Sequence, residues 1–496
     1  MQLAITIDKS SGVPIQAQVI AQMRDLIERG ILSGGTRVPS TRELAGQLGV
    51  ARRTIVLAYE KLIAEGYLES RRSAATFVSV LNPRSTIHVG TDRADGSGRT
   101  QVPVPSAVAA GAMPNLYVPV TERCELDFTI GRPDYRLFPS RHWQRLMVEH
   151  LAAHARVISE YPDPQGHLDL RRALCEHLRV SRGIECSEDQ IVIVSGVQDG
   201  LNLICRLLHT PRGKVIVEDP CYNGAAAAFE THGFELVPAP VDRHGIIVRD
   251  WPQDANIVYV TPSHQFPYGV TMSLERRHEL LAWIYSTRAY VVEDDYDSDF
   301  RYSSSPLFAL TGIDVAHRVI YLGTFAKSIG PGLRMGYAVF PKHLAAAARA
   351  LKATMSNGLP ILEQAVISKF ITSGAFQRHL VFMRRQYLAR RDKLIARLLK
   401  FFPDSSISGE EGGMHLIWTL GKALPSAPDL AKSCRRLGVG IHPIAMSPIS
   451  RSFAPPSLRD VMLGYTCLTE EQIDQAVERI RSVISSVSRP HMKPAL

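Results

Sequence analysis

The sequence has few cysteines and no paired cysteine motif. Its seven cysteines are scattered along the chain, and none of them stands in a Cys-x-x-Cys pair. An odd number without metal-ligand spacing predicts free thiols in a reducing, cytoplasmic environment and no metal site. No apolar run is long enough to cross a bilayer, and no charged-then-apolar leader stands at the start, so we expect no membrane contact.

An excess of one charge sign is also nearly missing. The chain of 496 residues has 57 Lys and Arg against 48 Asp and Glu, a net charge of +9. Spread over a chain long enough for two or three domains, this charge favours an anionic partner only weakly. Any nucleic-acid contact must therefore be inferred from where the cations stand.

The side chains that are candidates for cofactor chemistry are concentrated between Ala289 and Gly336. Two short apolar runs there, residues 290–292 and 319–322, predict neighbouring buried strands of a parallel sheet. Polar side chains follow each run, and open α/β sheets bind ligands beyond the carboxyl ends of their strands. We therefore expect one crevice that holds Asp294, Tyr296, Thr324, Lys327 and Arg334.

These five side chains together have the chemistry that pyridoxal phosphate requires. Lys327 would hold the aldehyde as a Schiff base, Asp294 would pair with the protonated ring nitrogen, and Tyr296 would hydrogen-bond the ring oxygen. Arg334 and Thr324 would bind phosphate oxygens. Each residue alone is explained equally well as a surface charge, a helix cap or an ion-pair partner. The set at two strand ends favours a cofactor site.

Other junctions between predicted strands and helices add candidates. The N–H groups of Val197 and Gln198 follow Gly196 at a predicted helix start, where phosphate binds well. Tyr222 would stack on the ring, and a packed core tyrosine is an equally good interpretation. The remaining candidates are Tyr161 for the phosphate, and His264 and Gln265 for the ring oxygen.

The first 80 residues predict three helices and a β-hairpin. The helices are expected at residues 14–30, 41–48 and 52–65, and the strands at 67–70 and 76–80. Ser40 with Glu43 three residues later predicts a capping box for the second helix. In the third helix, Ile55, Ala58, Leu62 and Ile63 are expected to face the core.

Cations at the start of the third helix and at the hairpin tip are typical of a winged helix-turn-helix that reads DNA. A small helical docking domain with solvated arginines is the alternative interpretation. The candidate DNA contacts are Ser40, Arg42, Arg52, Arg53, Thr54, Arg71 and Arg72.

The segment 14–80 closely resembles the GntR family of DNA-binding regulators. The resemblance is carried by residues 35–54, by Ala58-Tyr59 and by Ala64-Glu65-Gly66-Tyr67-Leu68. Ala51 stands where the family usually has serine, and the hairpin turn at 73–76 lacks the family's glycines. The resemblance implies DNA binding through the third helix and leaves the wing's contact open.

The rest of the chain predicts a linker and a large α/β domain. We place the limits at residues 1–81 for the head, 82–122 for a flexible linker without persistent periodicity, and 123–496 for the large domain. Strands are predicted at 190–194, 214–218, 257–261, 290–293 and 319–322. Helices are predicted at 167–178, 199–208, 274–286, 360–373, 376–399, 428–437 and 470–486.

From Leu126 to Glu478 the sequence resembles a fold-type I aminotransferase, and with its head the whole chain resembles the MocR/GabR-type transcription regulators. The segments in which this resemblance is most specific are 161–166, 261–267, 293–302 and 323–337. The resemblance implies pyridoxal phosphate on Lys327 and a homodimer, in which the tyrosine of the Tyr161 motif serves the partner subunit's site. A head-to-tail exchange of domains is one arrangement of such a dimer.

The expected carboxylate-binding arginine of aminotransferases is not evident. The strand near the C-terminus reads Asp-Val-Met-Leu-Gly-Tyr at 460–465, with Val461 or Met462 where an arginine is usual. Arg451 and Arg459 are the nearby substitutes for an effector carboxylate.

The main hypothesis is a regulator that binds an operator duplex and senses an amino compound or pyridoxal phosphate itself. A working aminotransferase with an accessory head, and a cofactor-free dimerisation scaffold, are the alternatives. The absent arginine argues for weak turnover.

Overall fold

The computed structural model describes residues 2–71, 75–80, 123–153, 159–302 and 308–487. Contacts divide the chain into two compact units, Met1–Pro103 and Val104–Leu496. The predicted linker at 82–122, Arg72 and the side chain of Arg71 lie outside the described residues, as does most of the hairpin turn. The limits given above for head, linker and large domain therefore stay predictions.

Three helices and a hairpin make up the described part of the first unit. They are α1 (Ile15–Glu28), α2 (Thr41–Leu48), α3 (Arg52–Ala64), β1 (Leu68–Arg71) and β2 (Ala75–Val78). The two strands pair antiparallel, with Leu68 opposite Val78. The predicted arrangement of helices and hairpin is confirmed.

Local sequence explains the turn between the second and third helices. The Ser40 hydroxyl accepts the Glu43 N–H at 3.2 Å, and the Glu43 carboxylate accepts the Ser40 N–H at 2.8 Å, so the predicted capping box is present. Ile55, Ala58 and Leu62 are buried as expected, but Ile63 is 37% exposed. Tyr59 is buried as well, and its hydroxyl donates to the Pro39 carbonyl at 2.9 Å.

The second unit contains the following strands: β3 (Leu126–Asp127), β4 (Ile191–Val194), β5 (Lys214–Asp219), β6 (Cys221–Tyr222), β7 (Glu235–Asp242), β8 (Gly245–Ile246), β9 (Ile257–Val260), β10 (Tyr290–Asp295), β11 (Val319–Thr324), β12 (Gly336–Val339), β13 (Ser406–Ser408), β14 (His415–Thr419), β15 (Val439–Gly440), β16 (His442–Pro443), β17 (Ser450–Arg451) and β18 (Asp460–Gly464).

Eight of these strands form the main sheet, in the order β4-β12-β11-β10-β9-β5-β7-β8. The central pairs β11–β10, β10–β9, β9–β5 and β5–β7 are parallel, and β12 runs antiparallel to both of its neighbours. Continuous apolar runs such as Ile191–Val194 and Ile257–Val260 are buried on both faces, as parallel strands between helix layers require.

Helices cover the main sheet and support a smaller one. Their bounds are α4 (Ser140–Ala153), α5 (Leu168–Arg182), α6 (Val197–Leu207), α7 (Asn223–Thr231), α8 (Leu274–Ser286), α9 (Leu310–Ile313), α10 (Lys342–Ser356), α11 (Ile361–Thr372), α12 (Ala375–Phe401), α13 (Ala427–Arg436) and α14 (Glu470–Val487). The smaller sheet has the order β13-β14-β18-β16 and packs its own apolar core with α12, α13 and α14. The predicted α/β architecture is confirmed.

Candidate functional site

A cavity of about 220 Å³ lies beyond the carboxyl ends of the central strands. It gathers residues from the ends of β4, β9, β10 and β11 and from two loops of the smaller layer. Its lining consists of Ile130, Gly131, Gly196, Val197, Gln198, Tyr222, Tyr259, Thr261, Phe266, Asp294, Tyr296, Thr324, Ala326, Lys327, Pro331, Arg334 and Ile449.

Asp294 is a buried carboxylate at the floor of this cavity. Its Oδ2 accepts the Tyr259 hydroxyl at 2.7 Å, and among the described residues no group bonds its Oδ1. Burial raises the pKa of Asp294 to about 7, and the negative charge of Asp295 adds to this, against the Tyr259 hydrogen bond and the Lys327 charge. A carboxylate in this state is short of a cationic partner.

Lys327 lies in the loop that follows β11 and is half-buried. Its Nζ donates to the Gly131 carbonyl at 2.8 Å. Burial lowers the pKa of Lys327 below its ordinary value, although Asp297 and Asp294 oppose that shift. A lysine with a lowered pKa provides more of the neutral amine, which is the nucleophilic form toward an aldehyde.

Tyr296 is backed by a buried histidine and a second carboxylate. Its hydroxyl donates to the His264 carbonyl at 2.9 Å and lies 3.1 Å from His264 Nδ1. The same Nδ1 lies 3.0 Å from Asp297 Oδ2. Burial alone would lower the pKa of His264, but the Asp297 carboxylate outweighs it and the pKa lies above its ordinary value.

A helix start and a loop meet at the opposite end of the cavity. Gly196 has φ 84°, a left-handed conformation, and precedes α6. The first N–H groups of a helix, here those of Val197 and Gln198, have no partner within the helix. Arg334 donates from Nη2 to the Ser195 carbonyl at 2.9 Å, and Thr324 lines the same end. Helix-start N–H groups and a guanidinium are donors that can bind an anion.

Tyr222 forms a side wall of the cavity. Gln198 Nε2 donates to its hydroxyl at 3.2 Å, and its ring meets Phe266 edge-on with centroids 6.0 Å apart. Tyr222 therefore lies at the cavity and also packs against the core, so the two interpretations of the sequence both describe its position.

Five predicted residues are not among the cavity lining. Gln265 is buried with its amide on the Pro220 and Phe266 carbonyls, at 2.9 and 2.6 Å, and His264 lies behind Tyr296. Tyr161 is 88% exposed. The remaining two are the arginines Arg451 and Arg459.

The structure does not bring these two arginines to the cavity. Arg451 forms a paired contact with the Glu230 carboxylate at 2.6 and 2.7 Å. Arg459 donates to backbone carbonyls, including that of Leu424 at 3.0 Å. Both guanidinium groups are already hydrogen-bonded to neighbouring residues, so neither is available to bind an effector carboxylate at the cavity.

Several lining residues were missed by sequence reasoning. Gly131 acts through a backbone carbonyl, and Tyr259 stands inside an apolar strand run that looks like ordinary core. Ile130, Phe266 and Ile449 reach the cavity from loops without a distinctive motif. Asp297 does not line the cavity but pairs with His264 behind it. The sequence could have indicated this residue, since it lies in the acidic run 293–299 that also contains Asp294.

One compact group of possible metal-ligating side chains lies beside Tyr296. Within the described residues, His264, Asp297 and His415 are all buried and their ligand atoms lie within 4.8 Å of one another. His415 Nε2 contacts the Pro267 carbonyl at 2.9 Å, and burial lowers the pKa of His415 to about 4. The His264–Asp297 pair accounts for the group without an ion.

The first unit presents its predicted DNA-contact residues at the start of α3. Arg42, Arg52 and Arg53 are exposed, and Thr54 is half-buried. The Ser40 hydroxyl is engaged in capping α2. In the part of the chain that the structure describes, no helix is both long and apolar enough to span a membrane.

Comparisons with known proteins agree with both units. The family described as bacterial regulatory proteins, gntR family, matches residues 15–78, and aminotransferase class I and II matches residues 125–480. The chain is 34% identical over 484 residues to the probable rhizopine catabolism regulatory protein MocR of Rhizobium meliloti, covering 96% of this chain and 95% of that protein.

Two further relatives cover most of the chain or its large unit. The HTH-type pyridoxine biosynthesis transcriptional regulator PdxR of Corynebacterium glutamicum is 31% identical over 415 residues, 84% of this chain and 85% of that protein. The solved structure of Pyrococcus horikoshii kynurenine aminotransferase superposes with a TM-score of 0.67 at 28% identity, over 74% of this chain and 92% of that one.

Fold and matches define a helix-turn-helix regulator that carries an aminotransferase-like domain. The chain belongs to the MocR subfamily of GntR-family transcription regulators. The relatives' description as regulators supports the DNA-binding regulator over the accessory-head aminotransferase.

Proposed function

We propose that this regulator binds pyridoxal phosphate in the large unit and senses an amino compound, or the cofactor itself, at that site. The observation that carries the proposal is the buried Asp294 carboxylate. Its Oδ1 has no bonding partner among the described residues, and its pKa is raised to about 7. A protonated ring nitrogen at that position would supply the missing cation.

The cavity lining offers a suitable partner for each part of the cofactor. The N–H groups of Val197 and Gln198, with Thr324 and Arg334, would hold the phosphate, and Asp294 would hold the ring nitrogen. Tyr296 would face the ring oxygen, Tyr222 would cover the ring, and Lys327 would bind the aldehyde. When bound, the cofactor supplies an aldehyde that can be exchanged between the lysine and an incoming amine, and a ring that withdraws electrons.

Lys327 connects this chemistry to the rest of the unit. Its Nζ contacts the Gly131 carbonyl, and Gly131 lies near the start of the first described segment after the predicted linker, residues 123–153. That segment is anchored nearby, because His442 Nε2 contacts Asp127 Oδ1 at 2.8 Å. An amine that displaces Lys327 would free its side chain and change this contact. The segment leading from the linker would then adopt a different arrangement.

The walls indicate which amines fit. Among the described lining residues the cations are Lys327 and Arg334, and both are assigned to the cofactor. Met462, where aminotransferases usually have an arginine, packs in an apolar cluster with Phe266, Ile417 and Ile444. We therefore expect an effector whose far end is apolar or uncharged, and a dicarboxylic amine would be disfavoured.

Two partners complete the proposal. One is an operator duplex, read by the head. The other is a second copy of the chain, because Tyr161 is exposed in this chain and the aminotransferase fold places this tyrosine at the partner subunit's site.

The test uses the full-length protein and the cofactor's visible spectrum. Pyridoxal phosphate should give an absorption band that borohydride fixes at Lys327, and a panel of amines should shift that band. The amines that shift the band should also change affinity for DNA taken from upstream of the gene. A protein that binds the cofactor but no duplex would contradict the regulator, and steady-state transamination at ordinary enzyme rates would favour the enzyme.

A further inference from the structure

Two thiols of the large unit lie within reach of each other. Cys175 lies in α5, and Cys186 lies in the loop after that helix, with the two Sγ atoms 3.8 Å apart. Gly183 ends the helix with φ 68°, a left-handed conformation that turns the chain back toward α5. We propose that Cys175 and Cys186 are a modification site, which closes to an intramolecular disulfide when the protein meets a peroxide.

Cys175 differs from the other six cysteines in its electrostatics, because it accepts a thiol–thiol hydrogen bond that raises the pKa of the donor, Cys186. The Cys186 thiol donates to Cys175 Sγ, and this hydrogen bond is the main reason that the pKa of Cys175 lies below its ordinary value. Burial raises the pKa of each of the other five thiols: Cys124, Cys205, Cys221, Cys434 and Cys467. Because the thiolate is the nucleophile, Cys175 should react first.

The two residues are also accessible and able to move. Both are half-buried, and Cys186 borders a surface cavity together with Glu185 and Gln190. A disulfide has an S–S distance of about 2.05 Å, so closure requires the sulfurs to approach by roughly 1.8 Å. That approach would have to come from the loop 183–187, since Cys175 is held in α5 and Cys186 belongs to neither a helix nor a strand.

The reaction balances with hydrogen peroxide as oxidant. The Cys175 thiolate attacks one peroxide oxygen, an S–O bond forms, the O–O bond breaks, and hydroxide leaves. The Cys186 sulfur then attacks the oxidised sulfur, an S–S bond forms, and the S–O bond breaks. The first hydroxide takes the proton that Cys175 gave up on ionising, and the second takes the Cys186 proton. Two thiols and one peroxide give one disulfide and two waters, with two electrons passed to the peroxide.

The cross-link would tie α5 to the turn that starts β4. Arg171 of α5 already spans this region, because its guanidinium donates to the Gly166 and Glu188 carbonyls at 3.1 and 2.8 Å. Strand β4 ends just before Gly196, where the anion-binding helix begins. The modification therefore acts on the element that carries one end of the cavity.

The experiment treats the reduced full-length protein with limiting hydrogen peroxide and maps peptides without reduction. The expected product is a Cys175–Cys186 linked peptide, lighter by two hydrogen atoms, which appears before any other cysteine is modified. With iodoacetamide, Cys175 of the unoxidised protein should be alkylated roughly tenfold faster than Cys124.

Two variants separate the site from general thiol oxidation. In Cys186→Ser the link cannot form, and Cys175 should instead be trapped by dimedone as a sulfenic acid. Cys124→Ser, which removes another half-buried thiol, should leave the link unchanged. Independent oxidation of the two thiols in the wild type, or alkylation of Cys175 no faster than that of Cys124, would overturn the proposal even if Cys186→Ser does not fold.

Discussion

Asp294 shows how one residue can be unfavourable for the empty fold and favourable for a bound cation. Burial raises the pKa of this carboxyl to about 7, so ionising it near neutral pH costs folding free energy. A cation in the cavity would reverse that cost. The site is therefore organised around a charge that the described chain does not itself neutralise, which is typical of functional carboxylates.

This argument predicts a pH-dependent effect of Asp294→Asn on the cofactor-free protein. An acid whose folded pKa is raised destabilises the fold increasingly as pH rises from its unfolded value, near 4, to its folded value of about 7. Relative to the variant, the wild type should lose up to about 4 kcal/mol between pH 4 and pH 8. Unfolding curves of both proteins across this range measure the difference, and a pH-independent difference would contradict it.

The same substitution should weaken cofactor binding, because the ring nitrogen loses its buried counter-ion. We expect a loss of several kcal/mol, or about a thousandfold in affinity. Spectroscopic titration with pyridoxal phosphate measures the change. The control is Asp299→Asn, a carboxylate five residues along the chain that does not line the cavity. Equal affinities for wild type and Asp294→Asn would remove Asp294 from the ring nitrogen.

Lys327→Ala should abolish covalent attachment of the cofactor and leave the fold intact. The lysine is a loop side chain whose described hydrogen bond is to the Gly131 carbonyl, so its loss leaves no large apolar cavity. Borohydride reduction followed by peptide mapping should label Lys327 in the wild type and no lysine in the variant. Lys342→Ala, at an exposed helix start, is the matched control. Labelling at the same peptide in Lys327→Ala would mean that another lysine is used.

Individual cavity residues could be predicted where a reactive or charged side chain lies at the end of a predicted strand. Asp294 lies near the end of β10, Lys327 and Arg334 follow β11, and the structure brings all three to one cavity. His264 was expected to touch the ring oxygen directly, but it stands behind Tyr296, because its backbone carbonyl takes the tyrosine hydroxyl. Which side of a loop a side chain occupies depends on packing, and no local pattern encodes it.

At the level of elements, a polar chain joins two loops behind Tyr296. Asp297 holds the His264 imidazole at 3.0 Å, and the imidazole lies 3.1 Å from the Tyr296 hydroxyl. His415 of β14 packs on His264 with ring centroids 4.9 Å apart, and Arg301 and Lys327 are the nearby cations. The loops after β9 and β10 are thus fixed relative to each other by one buried ion pair.

Breaking this pair with Asp297→Asn should destabilise the protein by about 3–5 kcal/mol at mildly acidic pH. A histidine whose folded pKa is raised contributes stability that is complete below its unfolded pKa, about 6.5, and is lost as pH rises through its folded pKa. The gap between wild type and variant should therefore shrink above neutral pH. Thermal unfolding from pH 5.5 to 9 tests the sign, and a gap that widens with pH would contradict the ion pair.

Periodic or strongly apolar elements were predicted well, and others were missed. Helix α8 was predicted at its observed bounds, and the five predicted core strands are all present. Helices α4, α7, α9 and α10 were missed. Two of them, α7 and α10, are alanine-rich, as at Ala225–Ala228, and such sequences favour helix without an apolar stripe. The antiparallel strand β12 was missed too, as were the strands of the smaller sheet other than β18. Their short apolar runs cannot be told from buried loops until tertiary pairing is known.

For the whole molecule, the sequence predicts cofactor binding and DNA binding in separate parts of the chain. In the structure the residues predicted for each lie in different units. The cavity belongs to the second unit, and Arg42, Arg52 and Arg53 belong to the first. The chain that connects the two units and a partner subunit are two routes by which a signal can pass between them. In the proposed function the signal would begin at the contact between Lys327 and Gly131, because Gly131 lies shortly after the predicted linker in the sequence.

This separation predicts that Arg52→Ala with Arg53→Ala weakens DNA binding and leaves the cofactor spectrum unchanged. Both arginines are exposed in the first turn of α3, the part of a recognition helix that reaches phosphates and base edges. If both contact phosphate, the slope of log affinity against log salt concentration should fall by about two units. If one of them reads a guanine, its loss should cost about 1–3 kcal/mol at a single base pair.

Binding curves against an operator and a scrambled duplex at several salt concentrations separate these two cases. Loss of phosphate contacts should lower the affinity for both duplexes alike, whereas loss of a base contact should lower the affinity for the operator only. Arg29→Ala is the matched control, because Arg29 is an exposed arginine just past the end of α1, paired with Asp25 at 2.8 Å. Wild-type affinity and slope in the double variant would show that α3 does not read DNA. The site would then have to be sought on other exposed cations of the head, starting with Arg42, whose position in α2 would make that helix the element in contact with the duplex.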